Sequence, residues 1–358
     1  MKPTQPCADS LQQARLARYS PGSTKASARY LWPLAALMLL LAVNLLLDAG
    51  FFQLSFQDGR LYGSLIDILN RSAPVALLAI GMSLVIATGG IDLSVGAVMA
   101  IAGSICANLL LQADLPLPLV IAAGLATGIA AGLINGTLVS YLKIQPIVAT
   151  LLLMVAGRGV AQLINQGQIV TFLRPDFAWL GSGSWLGLPV PVWLVIVMFG
   201  LSQLLLRRTA LGLFIEAVGC NATASRYLGI NDKAIKLFVY AFAGFCAALA
   251  GMISAADIQG SDANNAGLWL ELDAILAVVI GGAALSGGRF SLLLSVIGVL
   301  IIQSLSTTII VSGLPAKFNL LIKAVVVLLV LLLQSDKFRR QLSSWWPKLR
   351  KWRKGGQP

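Results

Sequence analysis

The sequence predicts an all-α, polytopic integral membrane protein with about ten transmembrane helices, at least one of them broken or re-entrant. Of its 358 residues, 58% are hydrophobic and only 11% are charged, whereas about 25% of a soluble domain is charged. Mean hydropathy is +0.85, and a single soluble core cannot bury that much apolar surface. Since no Ser-, Pro- or Gly-rich run divides the chain, one membrane domain (31–334) is predicted between an N-terminal tail (1–30) and a basic C-terminal tail (335–358).

Apolar runs define the predicted spans, because a helix needs about 20 apolar residues to cross a bilayer. The run that begins at Glu271 ends in Gly-rich sequence, so this span is predicted to be short or re-entrant. The ten predicted spans are 31–47, 68–88, 91–111, 117–142, 147–164, 190–206, 236–256, 271–287, 290–311 and 318–334.

The distribution of charge predicts the orientation of these spans. The net charge is +12, and most Lys and Arg residues fall in the two tails and the 207–236 loop, while most acidic residues fall on the opposite side. Basic residues that flank spans mark the cytoplasmic side, so both termini are expected in the cytoplasm. This explanation is preferred to a nucleic-acid partner. The polar first 30 residues predict no cleavable signal peptide.

Several kinds of chemistry are excluded by composition. The sequence has no His and four widely separated Cys residues, a pattern that predicts neither a metal site nor a disulfide framework. It has no GxxxxGK[ST] phosphate loop, no chain of ionisable residues resembling a proton relay, and no nucleophile–base pair. Neither a cofactor nor an enzymatic activity is therefore predicted.

The segment GGIDLSVG interrupts an otherwise apolar stretch. An Asp at the centre of a spanning helix costs roughly 2.5 to 3.5 kcal/mol, so Asp92 is expected to face protein, water or a solute. Gly89 and Gly90 permit a helix break, after which Asp92 could cap the third span. The cap is favoured over direct lining of a solute path by Asp92 and Ser94, and the two roles are compatible.

A second glycine pair supplies a faint internal repeat. The segment ALSGGRFS, with Gly287 and Gly288, repeats the Gly-Gly break of ATGGIDLS before another apolar run. Repeated, interrupted helices are a recurrent feature of transporters. The sequence thus predicts a second helix break and a weak two-fold repeat. Gly124, Gly128 and Gly132, four residues apart, predict close helix packing.

Polar residues crowd the entrance of the eighth predicted span. Asn264, Asn265, Glu271 and Asp273 surround Trp269. Planar polar groups beside an aromatic ring suit a sugar, whereas solvated loop residues beside an interfacial Trp are the simpler alternative. For Glu271 and Asp273 both interpretations stay open, and for Trp269 the interfacial one is preferred.

The 207–236 loop is the only long connection predicted on the cytoplasmic side. Its centre, IEAVGCNATASRYLGI, is typical of a short amphipathic helix after a Gly-containing turn, which favours docking of a soluble partner over a plain connector. Arg71, Arg158 and Lys323 lie within or beside spans, where each is expected to pair with an acid such as Asp67 or Asp92 or to reach an interface.

The segments GGIDLSVGAVMAIAG, EAVGCN and ELDAILAVVIGGAALSGGRF resemble the membrane permease subunits of bacterial ABC importers for monosaccharides, the ribose/galactose/xylose type. The resemblance covers about residues 58 to 335. Within that group, QDGRLYGSLIDILNRSAPVALLAIG, GRGVAQLINQGQIVTF and DANNAGLWLELDAI look most like a galactofuranose permease.

The resemblance implies a bacterial inner-membrane importer that works with three partners. A periplasmic binding protein delivers the sugar, a second permease chain, identical or different, completes the pore, and a cytoplasmic ATPase drives transport. The 207–236 loop would then contact the ATPase, with Glu216, Ala217 and Gly219 in an EAxG-like turn and Asn221, Arg226 and Gly229 in a short docking helix spanning 221–229. The two tails lie outside the resemblance.

Three other functions stay open at this point. An ABC permease for branched-chain amino acids would share the architecture but would require fixed charges for a zwitterionic substrate. An ion-coupled secondary transporter would require an acidic coupling path. A membrane scaffold without transport would not require polar residues at broken helices.

Overall fold

The structure is a computed structural model that describes residues 23–48, 50–57, 59–112, 115–313, 315, 318, 320–325 and 328. The predicted C-terminal tail, most of the N-terminal tail and much of the tenth predicted span lie outside the described residues. The helices are α1 (Ser23–Leu47), α2 (Ser64–Ala87), α3 (Val95–Gln112), α4 (Leu117–Ser140), α5 (Pro146–Ile164), α6 (Pro175–Ser182), α7 (Val190–Arg208), α8 (Leu211–Cys220), α9 (Ala222–Tyr227), α10 (Asp232–Asp257), α11 (Leu270–Ile280) and α12 (Leu292–Val311).

Within the described part of the chain, six helices are long and apolar enough to cross a bilayer: α2, α4, α5, α7, α10 and α12. Shorter apolar stretches occupy Leu31–Leu47 within α1, Val95–Leu111 within α3, and α8. The predicted eighth span is short, as its Gly-rich end indicated, but its predicted end at residue 287 is corrected to Ile280. Helix α11 has 11 residues, about 16 Å at 1.5 Å per residue, which is too short for a hydrocarbon core of about 30 Å.

Short strands add to the predicted all-α fold and correct it. They form three antiparallel two-stranded sheets within the described residues: β1 (Ser55–Gln57) with β2 (Arg60–Tyr62), β3 (Ile169–Thr171) with β6 (Gly260–Asp262), and β4 (Ser184–Trp185) with β5 (Leu188–Pro189). Each strand has two or three residues, so periodicity gives no signal for it.

Helix α2 lies at the centre of the molecule. Every residue from Val75 to Ala87 is buried, and α2 packs against α7, α10, α11 and α12. Helix α5, by contrast, exposes large apolar side chains such as Leu152 and Val155, as expected of a helix that faces lipid.

Small residues bring α4 and α10 into backbone contact. A Cβ on Gly128 would meet the carbonyl oxygen of Gly244, and a Cβ on Gly132 would meet that of Tyr240. Such close approach lets dispersion forces hold helices together where lipid removes the hydrophobic driving force. The spacing of Gly124, Gly128 and Gly132 thus predicted a contact that the structure contains.

The chain is non-helical at both predicted breaks. Helix α2 ends at Ala87 and α3 begins at Val95, with Gly89 at φ +79°. The second break, residues 281–291, separates α11 from α12, with Gly287 and Gly288 at φ +90° and +101°. A side chain at Gly287 or Gly288 would be strained, because L-residues rarely adopt positive φ angles.

Candidate functional site

Asp92 organises the first break through its own neighbours. Its Oδ1 accepts hydrogen bonds from the backbone N–H of Ser94 at 2.9 Å and from the Ser94 hydroxyl at 2.6 Å. The first residue of α3 is Val95, so Ser94 immediately precedes the helix and Asp92 fixes the turn that starts it. The carboxylate thus satisfies a polar backbone group at a helix end buried in the membrane domain.

Asn135 of α4 completes this buried group, which sequence reasoning missed. Its Nδ2 donates to the Ser94 hydroxyl at 2.7 Å and, at 3.4 Å, to Asp92 Oδ1. Asp92, Ser94 and Asn135 are each at most 1% exposed. The only sequence signal was an Asn within the apolar span GLATGIAAGLING. These three side chains therefore lie inside the protein, away from any open solute path in this conformation.

The two predicted breaks meet at one place, together with the end of α8. The backbone N–H of Gly288 donates to the carbonyl oxygen of Ala87 at 2.9 Å. A Cβ on Gly287 would lie 2.9 Å from the nitrogen of Gly89 and 2.8 Å from the carbonyl oxygen of Gly219. We call this set of four residues, Gly89, Gly219, Gly287 and Gly288, the glycine junction.

Gly219 is the most tightly placed member of the glycine junction. A Cβ there would overlap the carbonyl oxygen of Ala87 and come within 2.6 Å of the Gly288 nitrogen. Helix α8 can therefore contact both break segments only because position 219 has no side chain. Gly90 has a different neighbour. It makes room for Tyr240 of α10, since a Cβ at position 90 would meet the Tyr240 hydroxyl at 2.6 Å.

The connector between α7 and α10, residues 209–231, contains two short helices. The predicted helix 221–229 is corrected to α9 (Ala222–Tyr227), because Asn221 is extended (φ −163°) and separates α8 from α9. The Asn221 side chain caps α9 by accepting from the Ala224 N–H at 2.9 Å. Gly229 follows α9 at φ +83°.

The other residues predicted to contact the ATPase differ in their surroundings: one is held by a contact within the chain, and two are half-buried. Arg226 forms a two-point ion pair with Asp232, at 2.5 and 2.8 Å, which ties α9 to the start of α10. Glu216 and Ala217 are half-buried on α8. Sequence reasoning missed Tyr227 and Leu228, which are 88% and 80% exposed, although two large apolar residues in a polar loop were a usable signal.

A cavity of about 350 Å³ opens between the first half of α3, at Met99 and Gly103, and the C-terminal end of α10. We call it the polar cavity. Its apolar side is formed by residues that include Met99, Leu268 and Leu270, and its polar side by Ser254, Asp257, Ser261, Asp262 and Asn265. Cavities of this size with a few convergent polar groups are typical small-molecule sites.

Asp262 shapes the loop that forms one side of the polar cavity. Its Oδ1 accepts from the N–H groups of Asn264 and Asn265 at 2.9 and 3.2 Å, and its Oδ2 accepts from Asn265 Nδ2 at 2.7 Å. These hydrogen bonds, led by that of the Asn265 side chain, hold the pKa of Asp262 below its usual value. The carboxylate stays ionised and the loop stays folded at neutral pH.

Helix α5 holds the same loop from its other side. Arg158 donates to the carbonyl oxygens of Ala263 and Ala266 at 3.0 and 2.6 Å, and Gln162 donates to Asn264 Oδ1 at 2.7 Å. The predicted pairing of Arg158 with an acid is therefore replaced by carbonyl contacts among the described residues. Asn264 points toward α5 and does not line the polar cavity.

A buried hydrogen-bond network lies behind Ser261. Asn165 donates from Nδ2 to the carbonyl oxygen of Ser261 at 3.0 Å, and its Oδ1 accepts from Asn108 at 2.9 Å. The hydroxyls of Ser104 and Ser261 are 3.1 Å apart. These four residues join α3, the end of α5 and β6, and the only hint in the sequence was Asn or Ser within apolar runs.

The acids of α11 do not line the polar cavity. Asp273 pairs with Lys323 at 2.8 Å, and both side chains are about 15% exposed. Glu271 is buried, and its Oε2 has no hydrogen-bond partner among the described residues. Trp269 precedes α11 at φ +67° and is 51% exposed. Of the six predicted path residues, only Asn265 lines this cavity.

Metal chemistry has no support at this site. Among the described residues, no group of three or more Cys, Asp or Glu side chains could hold a metal ion, and the sequence contains no His. The polar cavity offers carboxylates, an amide and hydroxyls, which bind a solute by hydrogen bonds.

Comparisons with known proteins place these features in context. Residues 64–331 match the family described as "Branched-chain amino acid transport system / permease component". The chain is 61% identical over 323 residues to the galactofuranose transporter permease protein YtfT of Escherichia coli (strain K12), covering 89% of this chain and 94% of that protein. No solved structure matches the chain.

Two further relatives are also named for sugars. The fructose import permease protein FruF of Bifidobacterium longum (strain NCC 2705) is 42% identical over 318 residues, 87% of this chain and 89% of that protein. The ribose import permease protein RbsC of Escherichia coli (strain K12) is 37% identical over 308 residues, 85% of this chain and 93% of that protein. The family description names amino acids, but these three relatives are named for sugars.

Proposed function

Because the chain belongs to the family of transport-system permease components, we propose that it is the membrane permease subunit of a bacterial ABC importer for a monosaccharide of the galactofuranose type. The observation that carries this proposal is the 61% identity to a galactofuranose permease over nearly the whole length of both proteins. The chain is a transport subunit and not an enzyme, and ATP is hydrolysed in a separate subunit.

The polar cavity is the proposed sugar contact. Sugar hydroxyls are hydrogen-bond donors as well as acceptors, and Asp257, Asp262 and Asn265 supply both kinds of partner. Met99, Leu268 and Leu270 supply apolar surface for the C–H patches of a ring. The cavity is open rather than enclosed, which suits a site that must release its solute.

The composition of the polar cavity argues against an amino acid substrate. A zwitterion would require a cation for its carboxylate, yet no Lys or Arg lines this cavity among the residues that the structure describes. The nearby Arg158 already donates to the carbonyl oxygens of Ala263 and Ala266. An ion-coupled transporter is likewise not favoured, because the relatives named above are permeases of sugar import systems.

We further propose that the 209–231 connector docks on the cytoplasmic ATPase. The exposed apolar pair Tyr227 and Leu228 offers a contact, and Leu213 on α8 is 69% exposed as well. Helix α8 reaches the glycine junction through Gly219. A displacement of α8 would therefore act on both helix breaks at once. The turn at Asp92 lies only a few residues after Gly89 of the first break.

The rest of the assembly follows from the same proposal. A periplasmic binding protein delivers the sugar, and a second permease chain, identical or different, completes the pore. The chain is a multi-pass protein of the inner membrane with about ten transmembrane helices, at least one of them broken or re-entrant. It has a weak two-fold repeat of its broken helices, and both termini lie in the cytoplasm. Residues 1–30 and 335–358 are tails, and 31–334 form the permease domain.

Reconstitution tests this function directly. The permease, its ATPase and its binding protein are placed in liposomes, and uptake of labelled galactofuranose is measured with ATP or ADP. We expect uptake that requires ATP and the binding protein, and little uptake of leucine or valine. Uptake of leucine, or sugar uptake driven by an ion gradient without the ATPase, would contradict the proposal.

A further inference from the structure

An apolar groove lies on the outside of the membrane domain and shares no lining residue with the polar cavity. Its volume is about 810 Å³. Helices α7 and α10 both pack on α2, and the groove lies between them. Its walls are built from Met198, Leu201, Leu204 and Leu205 of α7 and from Phe242 and Phe245 of α10.

The walls of the apolar groove offer almost no free polar group. The hydroxyl of Ser202 donates to the carbonyl oxygen of Met198 at 2.6 Å, and that of Thr209 donates to the carbonyl oxygen of Leu205 at 2.5 Å. Leu201 and Leu204 are 56% and 55% exposed. Since α7 and α10 are both candidate spans, hydrocarbon is the natural occupant.

One charged side chain lines the groove, at the end beside the connector. Arg208, the last residue of α7, is exposed and has no hydrogen bond or ion pair within the part of the chain that the structure describes. Arg207 lies beside it in the sequence but does not line the groove, and Lys233 of α10 lies over the ring of Tyr141 at the end of α4. At the same end Asp232 is already paired with Arg226. Arg208 therefore places one positive charge, unpaired among the described residues, at this end of the groove.

The dimensions of the groove fit one leaflet of a bilayer. Met198 and Arg208 are separated by ten residue steps along the helix, about 15 Å. This is half of a hydrocarbon core of about 30 Å. An acyl chain lying against Phe242 and Phe245 would thus bring its headgroup phosphate level with Arg208, where Arg side chains bind phosphate well.

We propose that the apolar groove binds one anionic phospholipid, with an acyl chain between α7 and α10 and its headgroup on Arg208. Basic pockets between spans are suited to anionic headgroups. Because the connector begins directly after Arg208, this lipid would hold the junction of α7 with α8. The site is independent of the transported solute.

Lipid retention tests the proposal with a matched pair of variants. The purified protein is incubated with phosphatidylglycerol or phosphatidylcholine and bound lipid is counted by native mass spectrometry. We expect about tenfold greater retention of phosphatidylglycerol and a similar loss in Arg208→Ala. Arg207→Ala, a neighbouring arginine that does not line the groove, should stay within about twofold of the wild type.

Other outcomes would overturn the site. Equal retention of the two lipids, or equal loss in both arginine variants, would mean that the groove does not select an anionic lipid. Displacement of the lipid by inorganic phosphate alone would mean that Arg208 binds only the headgroup and that the groove does not hold the acyl chain. Disulfide-linked dimers of Leu201→Cys in lipid would assign the groove to a second copy of the chain.

A second measurement, the thermal midpoint, distinguishes loss of lipid binding from a folding defect. Adding phosphatidylglycerol should raise the thermal midpoint of the wild type and of Arg207→Ala, whereas Arg208→Ala should unfold at the same temperature with or without it. An equal rise in all three proteins would also overturn the proposal.

Discussion

The backbone N–H of Gly288 donates to the carbonyl oxygen of Ala87 at 2.9 Å, and this bond joins two chain breaks that lie some 200 residues apart in the sequence. Gly219 packs directly against that carbonyl oxygen. The end of α2, the segment before α12 and the end of α8 thus form one contact. Movement of any one of the three must disturb the other two.

Gly219→Ala should disturb this contact. A Cβ would overlap the carbonyl oxygen of Ala87, and overpacking of a core costs about 1–3 kcal/mol. From the sequence alone, a bulky residue at position 219 is expected to uncouple transport without affecting membrane insertion. The structure predicts a lower thermal midpoint as well, measured on purified protein in detergent.

Gly200→Ala is the matched control, because it lies on an exposed face of α7 and a Cβ there would meet nothing within 4 Å. It should be neutral or slightly stabilising, since Ala favours helix over Gly by roughly 1 kcal/mol. Equal thermal midpoints for the two variants would refute the steric role of Gly219.

Tyr227→Ala combined with Leu228→Ala should weaken ATPase docking while the permease stays folded. Both side chains are exposed, so little folding energy is lost. Apolar anchors of an interface are often worth about 2 kcal/mol, which is close to a 30-fold loss of affinity. Co-purification with the ATPase measures this, with the exposed Leu173→Ala, on the far side of the molecule, as control. Unchanged co-purification would exclude this contact.

Asp92→Asn should fold and transport nearly as well as the wild type. An amide oxygen can still accept from Ser94, and the side chain is buried away from the polar cavity. The sequence alone suggested reduced uptake in this variant. Asp92→Ala, which lacks an acceptor, should lose about 1 kcal/mol of stability. A folded Asp92→Asn protein without uptake would show that the charge itself serves transport.

Asn265→Ala should reduce sugar uptake by about threefold to tenfold, the range for one lost hydrogen bond. Asn264→Ala is the control, because Asn264 points to Gln162 and lies outside the polar cavity. Initial rates in proteoliposomes at several sugar concentrations would separate the two variants. Equal losses would indicate that the whole loop, rather than a cavity contact, is responsible.

The loop around Asp262 should be stable to mild acid. Because hydrogen bonds lower the pKa of the folded carboxyl below 3.8, its contribution is fully present above that value and is lost as the pH falls through the lower, folded pKa. Limited proteolysis should show a protected loop from pH 7 to about pH 5. In Asp262→Asn, the loss of protection at lower pH should disappear. If the wild-type loop loses its protection near pH 6 instead, Asp262 is not the group responsible.

Membrane class, most span positions and both helix breaks could be predicted from the sequence. Apolar runs must become helices in lipid because each backbone polar group needs an internal partner, and Gly-Gly pairs mark where a helix can stop. The same reasoning applies at α11. Gly281 and Gly282 end the helix after Ile280, so the span is short, as its Gly-rich end predicted, although the predicted end at residue 287 lies too far along the chain.

The sites depended on tertiary structure. Asp92 was predicted to cap the third span, but Ser94 directly precedes α3 and Asp92 instead binds Ser94. Its partner Asn135 lies 43 residues further along the chain, and no local pattern links them. Asn264 and Asn265 are adjacent and chemically identical, yet one points to α5 and the other lines the polar cavity. That distinction is set by different partners, since Asn264 accepts from Gln162 of α5 whereas Asn265 donates to Asp262.

The sequence by itself determined that this chain is a membrane protein and where most of its helices end. Both follow from local properties, namely the hydropathy of each segment and the backbone freedom of glycine. Only the tertiary structure decided that two distant breaks meet on Gly219, and that Arg208 stands at the end of an apolar groove. Both depend on how helices pack, and packing is set by contacts between segments that the chain keeps far apart.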